Sequence, residues 1–163
     1  MIKWRGIAIS FHPFFVIIML ISVLTGHFLE LLALFTIVFV HEMGHVFAAR
    51  MYDIKVLSVQ MLPCGGVAVM EDAGNLTAGR EIVIALAGPL QNLMLIGASL
   101  LLHAIGIWDG PFLSYFIQSN LLIALFNLLP ILPLDGGKIS QALCSLVMPY
   151  YATLLWSSRM PSS

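Results

Sequence analysis

The sequence predicts an all-α polytopic membrane protein, a bundle of about five transmembrane helices with a small β-hairpin after the second helix. Of its 163 residues, 60% are hydrophobic and only 9% are charged. A soluble domain of this length does not need so much apolar surface. Five segments also carry few or no charges and have, or nearly have, the length that crosses a hydrocarbon core of about 30 Å.

These apolar segments define the predicted bundle. They cover about 7–25, 28–50, 82–105, 112–134 and 139–157. The first segment follows Lys3 and Arg5 and lacks a small-x-small cleavage pattern, so we expect a retained anchor and not a signal peptide. We therefore predict one membrane-embedded domain over 1–157, an unstructured tail over 158–163, and no PDZ or CBS domain.

The basic residues indicate the orientation of the bundle. If the segments alternate in direction, six of the seven basic residues fall on one side: Lys3, Arg5, Arg50, Lys55, Arg80 and Lys138. The positive-inside rule places that side in the cytoplasm, so we expect a cytoplasmic N-terminus and a site that opens to the cytoplasm. The net charge of −1 gives no indication of nucleic-acid binding, and the expected surroundings are the lipid bilayer.

The stretch "FVHEMGHVFAAR", residues 39–50, places titratable side chains at the end of an apolar segment. His41 and His45 project within about 40° of each other on a helix, as two ligands of one tetrahedral Zn²⁺ require. In the H-E-x-x-H arrangement Glu42 is a general base for the water that the metal activates. The alternative is an accidental match or polar pairing within the bundle. Three ionisable groups on one membrane helix are costly, which favours the metal site.

Asp135 is the strongest candidate for a third metal ligand. His41 and His45 lie about 13 and 8 Å below Arg50 at 1.5 Å per helical residue. Asp135 lies three residues before Lys138, on the same predicted side of the membrane. Similar depths would let one metal ion contact all three side chains. The alternative is an interfacial aspartate that caps the next helix.

A period-2 pattern follows the second segment. Apolar and polar residues alternate over 57–61, and Pro63, Gly65 and Gly66 interrupt the pattern before "VAVME" resumes it. This predicts a hairpin on the cytoplasmic side, whose exposed strand edge at 57–61 holds an extended substrate near Gly65 and Gly66. A plain amphipathic hairpin on the membrane surface is the alternative.

Two motifs together give the chain a resemblance to a known family. "HEMGH" on the second segment, with "NLLPILPLDGG" at the end of the fourth, resembles the site-2 protease family of intramembrane zinc metalloproteases, peptidase family M50. "AGPLQN", residues 87–92, is similar to a small-residue motif of that family. The resemblance implies one Zn²⁺ per chain on His41, His45 and Asp135. It also suggests that Asn127 points an amide at the substrate carbonyl or oxyanion, with a packing hydrogen bond as the alternative.

Within this family, the short N-terminus and "LPCGGVAVMEDAGN" look most like the sporulation subgroup of endospore formers. That subgroup cleaves the pro-sequence of a sigma factor and is inhibited by partner membrane proteins. The resemblance therefore implies a membrane-associated pro-sigma factor as substrate and inhibitory membrane partners. The subgroup also carries a sixth membrane segment and a cytosolic CBS domain, so a chain truncated from six helices is a further expectation.

The function expected from the sequence is that of an intramembrane zinc endopeptidase that hydrolyses a peptide bond by zinc-activated water. A membrane zinc hydrolase acting on lipid would share His41, Glu42 and His45. The non-enzyme alternative is a membrane zinc-binding transporter or scaffold. Transport would need polar residues along a through-path, whereas the polar residues here are concentrated near one face.

Overall fold

The computed structural model describes residues 2–4, 7–11, 13–62, 65–70 and 76–147, and these form four strands and five helices. In chain order the elements are β1 (Ile2–Trp4), β2 (Ile7–Phe11), α1 (Pro13–Thr25), α2 (Phe28–Met51), β3 (Val56–Leu62), β4 (Gly65–Met70), α3 (Ala78–Ala104), α4 (Pro111–Asn127) and α5 (Asp135–Val147). The mostly helical fold expected from the sequence is confirmed. The predicted tail over 158–163 lies outside the described residues.

The first apolar segment is not helical throughout, contrary to the prediction for 7–25. Residues 7–11 form β2, which pairs in parallel with β3 from Ala8 opposite Ser58 to Phe11 opposite Met61. The helix begins only at Pro13, where a residue without a backbone N–H is tolerated in the first turn. Pairing between strands about 50 residues apart in sequence overrides the local apolar pattern.

The two strands after α2 lie in a larger sheet than the sequence predicts. The strand order is β1-β2-β3-β4, with β3 antiparallel to β4. The prediction of a free strand edge at 57–61 is wrong, because β2 pairs with one side of β3 and β4 with the other. Within the described sheet, β1 and β4 are the terminal strands.

The helices differ in length. In the described ranges, α2 with 24 residues and α3 with 27 are long and apolar enough to cross a membrane. The fourth predicted segment, 112–134, is helical only to Asn127. Pro130 and Pro133 lack the N–H that would continue the helix. The fifth helix begins at Asp135, four residues earlier than predicted, because the aspartate occupies its first turn. The remainder of that segment, after residue 147, is outside the described residues.

The helices α2 and α3 pack at very short range. A Cβ added at Gly44 would lie 2.5 Å from the carbonyl oxygen of Ala87 and 2.7 Å from Cγ of Gln91. Small residues allow such backbone approach between membrane helices. Buried apolar side chains surround the crossing: Val46, Ala48, Ala49, Val56 and Ile84. The crossing fixes the part of α2 that carries the two histidines.

A similar approach positions α5. A Cβ at Gly136 would overlap the carbonyl of Leu128, and one at Gly137 would lie 2.6 Å from the backbone of Ile131. The irregular segment 128–134 therefore folds directly over the first turn of α5. Because only glycine fits there, the backbone itself determines where Asp135 lies.

We predict that Gly44→Ala lowers the free energy of unfolding by about 1–3 kcal/mol, since the methyl group has no space beside the Ala87 backbone. Thermal unfolding of the purified protein in detergent measures the change. Gly79→Ala is the matched control, because a Cβ at Gly79 meets nothing within 4 Å. Equal melting temperatures for the two variants would contradict the packing argument.

Candidate metal centre

The polar residues of the HEMGH motif lie inside the bundle. The exposed fractions of His41, Glu42 and His45 are 2%, 8% and 5%. Asp135, at the start of α5, is 4% exposed. Burial of four ionisable side chains among apolar helices is costly unless each group has a partner, so their contacts decide what the site does.

Three ligand atoms from two helices converge. Nε2 of His41 and Nε2 of His45 are 3.3 Å apart. Oδ2 of Asp135 is 3.2 Å from Nε2 of His41 and 3.1 Å from Nε2 of His45. The structure thus brings together the three residues that the sequence singles out, although 90 residues separate His45 from Asp135.

The outward-facing ring nitrogens of both histidines have acceptors. Nδ1 of His41 lies 2.7 Å from Oδ1 of Asn92, and Nδ1 of His45 lies 2.8 Å from the carbonyl oxygen of Ile84. A carbonyl acceptor requires the proton on Nδ1, so a neutral imidazole in either position has a lone pair on Nε2. In that neutral form both lone pairs face a carboxylate oxygen, and no ring proton lies between the three atoms.

This triangle fits a tetrahedral metal ion. Ligand atoms at about 2.0–2.1 Å from zinc in a tetrahedron are separated by about 3.3–3.4 Å, and the three distances observed here are 3.1 to 3.3 Å. Two imidazoles and one carboxylate are also a common protein ligand set for catalytic zinc, which leaves one coordination position open. The residues present therefore suit a zinc ion.

Glu42 belongs to the same buried cluster. Ligand atoms of His41, Glu42 and His45 lie within 4.8 Å of one another, so this set could also contact a metal ion. The triangle that includes Asp135 is tighter. Glu42 is therefore better placed beside the metal position than in it.

One further polar contact adjoins the triangle. Nζ of Lys138 is 3.4 Å from Oδ1 of Asp135, the carboxylate oxygen that does not face the histidines. A lysine there favours the charged form of the aspartate and engages its second oxygen. Oδ2 is thereby left to face the two histidine nitrogens.

The backbone of α3 lies against the triangle at Gly88. A Cβ at Gly88 would overlap Nε2 of His45 and lie 2.7 Å from Nε2 of His41. Any other residue would occupy the space beside the two ligand nitrogens. The small residue at Gly88 in "AGPLQN" therefore allows α3 to pack closely against the two histidine rings.

The other predicted site residues lie elsewhere. The amide of Asn127 donates to the carbonyl of Ile123, 2.9 Å away on its own helix, which matches the packing alternative. Gly65 and Gly66 begin β4, opposite Leu62 and Met61. A role of these three residues toward substrate stays a prediction.

Sequence reasoning missed some partners of the histidines. The motif "AGPLQN" includes Asn92 but gives no indication of its contact with His41, and the sequence does not single out Asn120 or the carbonyl of Ile84. An asparagine within an apolar membrane segment is a detectable signal, because such side chains need a partner. The carbonyl of Ile84 cannot be singled out from the sequence, since every residue has a backbone carbonyl.

Comparison with known proteins identifies the family. The sequence profile of peptidase family M50 matches residues 29–108 and 103–152, which include all the residues of the triangle. The chain belongs to peptidase family M50. Among relatives of this M50 chain, stage IV sporulation protein FB of Bacillus subtilis is 38% identical over 150 residues, covering 91% of the chain and 52% of that protein. A zinc metalloprotease of Methanocaldococcus jannaschii is 34% identical over 154 residues, 88% of the chain and 44% of that protein.

The fold is similar to that of a solved site-2 protease. The site-2 protease from Methanocaldococcus jannaschii superposes with a TM-score of 0.72 at 30% identity, over 89% of this chain and 70% of that one. The resemblance to site-2 proteases expected from the motifs is thereby confirmed. This M50 chain spans about half the length of the two curated relatives, 52% and 44%.

We predict that Gly88→Ala displaces the histidine nitrogens and reduces zinc content well below that of the unmodified chain. Elemental analysis of purified protein measures it. Gly97→Ala is the control on the same helix, since a Cβ there meets nothing within 4 Å. Full zinc content in Gly88→Ala would show that the metal does not occupy the position beside Gly88.

Proposed function

We propose that this chain is an intramembrane zinc endopeptidase that hydrolyses a peptide bond in a membrane-associated protein. The observation that carries the proposal is the buried triangle of two imidazole nitrogens and one carboxylate oxygen, 3.1 to 3.3 Å apart, with both Nδ1 atoms already paired. Membership of peptidase family M50 supports a peptide bond as the target.

In the proposed mechanism, His41, His45 and Asp135 hold one zinc ion. When bound, zinc polarises the scissile carbonyl and lowers the pKa of water enough to make it a nucleophile near neutral pH. Glu42 takes the proton from the attacking water and delivers it to the leaving amine. Its burial excludes bulk water and strengthens its electrostatic contact with the reacting groups.

The sheet offers a way to present the substrate. A peptide bond inside a helix is shielded by the hydrogen-bond ladder, so the substrate must be extended near the site. Within the described sheet β3 is paired on both sides, whereas β4 is a terminal strand. An extended substrate could therefore pair with the outer edge of β4. Gly65 and Gly66 lie at the start of that edge. Strand addition at β4 is the proposed mode of substrate binding.

The proposed setting is a multi-pass bundle of five membrane segments with its N-terminus and the opening of the site in the cytoplasm. The two long apolar helices and the membrane-embedded family support integration into the bilayer. The distribution of basic residues supports the orientation.

The proposed substrate is the precursor of a sporulation sigma factor. The support is the 38% identity to stage IV sporulation protein FB over 91% of this chain. Membrane proteins that inhibit the protease are proposed as further partners. A pro-sigma factor from the organism that supplies this chain is therefore the first candidate for the cleavage assay.

We predict that Glu42→Gln retains about one zinc per chain and loses nearly all cleavage of that candidate, because the amide keeps the size of the side chain but cannot accept the proton. Elemental analysis paired with a cleavage assay separates binding from chemistry. Glu30→Gln, at the other end of α2, is the matched control and should cleave normally.

The ligand variants complete this test. His41→Ala, His45→Ala and Asp135→Ala should each lose zinc together with activity. Full zinc occupancy in Asp135→Ala would refute the third ligand, and substantial cleavage by Glu42→Gln would refute the proposed base. Stoichiometric zinc without cleavage of any membrane-associated substrate would favour the binding-protein alternative.

We predict opposite accessibility for two single cysteines in membrane vesicles after Cys64 and Cys144 are replaced by serine. Lys55→Cys should react with an impermeant maleimide only in inside-out vesicles. Asp109→Cys, whose aspartate side chain is 85% exposed between α3 and α4, should react only in right-side-out vesicles. Labelling of both from the same side would contradict the proposed orientation.

A further inference from the structure

Two asparagines lie next to the metal position without any exposed surface. Asn92 on α3 and Asn120 on α4 are both 0% exposed. An amide buried among apolar helices is costly unless its donor and acceptor are both paired. The hydrogen-bond partners of the two amides therefore indicate the role of the pair.

The two amides connect a histidine of the triangle to a backbone carbonyl on another helix. Oδ1 of Asn92 is 2.7 Å from Nδ1 of His41. Nδ2 of Asn92 donates to Oδ1 of Asn120 at 3.2 Å, and Nδ2 of Asn120 donates to the carbonyl oxygen of Phe116 at 2.9 Å. The chain of contacts crosses from α2 through α3 to α4.

The direction of every hydrogen bond in this chain follows from its last member. The carbonyl of Phe116 can only accept, so Asn120 turns its Nδ2 toward it and its Oδ1 toward Asn92. Asn92 must then donate to Asn120 and present Oδ1 to His41. An acceptor at that position holds the proton of His41 on Nδ1 and leaves the lone pair on Nε2.

We propose that Asn92 and Asn120 form an amide relay that fixes the tautomer of His41 and thereby sets the zinc affinity of the site. Asn120 is a positioning residue, since it acts on His41 only through Asn92. The inference rests on the proposed zinc site and extends it to a helix, α4, that contributes none of the three ligands.

The contrast with His45 shows why a relay is needed. Nδ1 of His45 faces the carbonyl of Ile84, which cannot become a donor. Nδ1 of His41 faces an amide, and a half-turn of Asn92 would replace its acceptor with a donor. Such a turn would force the proton onto Nε2, where it would point at the other two ligands. Asn120 prevents the turn.

The test compares variants that separate hydrogen bonding from packing. Asn120→Leu removes the acceptor for Asn92 and should weaken zinc binding by up to about 10- to 100-fold, the range typical when the direct partner of a metal ligand is lost. Asn120→Asp keeps an acceptor oxygen and should bind zinc more tightly than Asn120→Leu, although a buried carboxyl group destabilises the fold more. Zinc dissociation constants come from chelator competition on the full chain in detergent, and thermal unfolding reports stability.

Ser99→Ala is the matched control. Ser99 is a polar residue of α3 that is 1% exposed, and its hydroxyl donates only locally, to the carbonyl of Ile96 at 2.8 Å. Its loss should leave the zinc dissociation constant within about twofold of the unmodified value, since no hydrogen bond of the described residues links it to His41. An equal loss of affinity in Ser99→Ala and Asn120→Leu would overturn the relay.

A double substitution gives the sharpest test. In Asn92→Asp the residue beside His41 has two acceptor oxygens, so no rotation can present an N–H to Nδ1. Asn120→Leu should then cause no further loss of zinc affinity in this background, whereas it weakens the unmodified chain. The same loss in both backgrounds would show that Asn120 acts through packing alone and would overturn the inference.

One measurement needs no relay variant and so remains available if Asn120→Leu fails to fold. Nitrogen-15 spectra of the metal-free, unmodified protein at alkaline pH, where imidazoles are neutral, report the tautomer of each histidine. His41, assigned by the signal lost in His41→Gln, should carry its proton on Nδ1. A proton on Nε2 would overturn the inference. Failure of the unmodified chain to bind any zinc would instead overturn the proposed function.

Discussion

The organisation of the bundle depends on one constraint, that ionisable and amide groups placed among apolar helices must each have a partner. The outward nitrogens of His41 and His45 meet this requirement with an amide and a carbonyl. Among the described residues, their inward nitrogens and Oδ2 of Asp135 face one another, at distances where neutral rings with the proton on Nδ1 supply none between them. A divalent cation would give all three atoms a partner at once. Metal binding would therefore also stabilise the interior of the bundle.

Glycine residues allow the backbones of α2, α3 and α5 to come close together around the candidate metal position. At Gly44 and Gly88 the helix α3 approaches α2 more closely than any side chain would permit, and Gly136 brings α5 under the segment that precedes it. At Gly44 and Gly136 the near atoms belong to the main chain, which is stiffer than a flexible side chain, and at Gly88 they are the ring atoms of the two histidines themselves. Rigid placement of this kind suits a site whose ligands must hold their geometry before a metal arrives.

The features that depend on residues close together in the chain could be predicted from the sequence. The orientation of His41 and His45 follows from helical periodicity, the extent of α2 from its apolar composition, and the similar depth of Asp135 from charge placement. Pairing of β2 with β3 could not be predicted, because it joins residues about 50 positions apart and competes with an equally apolar helical pattern. The partners of the histidines were missed for a related reason. An asparagine in an apolar helix indicates that its amide has a hydrogen-bond partner. Only the packing of α2, α3 and α4 shows that the partners of Asn92 are His41 and Asn120.

The parallel pairing of β2 with β3 constrains the path of the chain through α1 and α2. These strands flank α1 and α2, which are joined by a tight turn at Gly26, where φ is 79°. Because the sheet holds both ends of this helical pair, the chain leaves the sheet along α1 and returns to it after α2. Counted from the shared turn, the 13 residues of α1 reach back about 20 Å, roughly the rise from Phe28 to His41 along α2. The sheet therefore begins at about the height of His41 along the bundle, so extended backbone lies at the same level as the buried histidines.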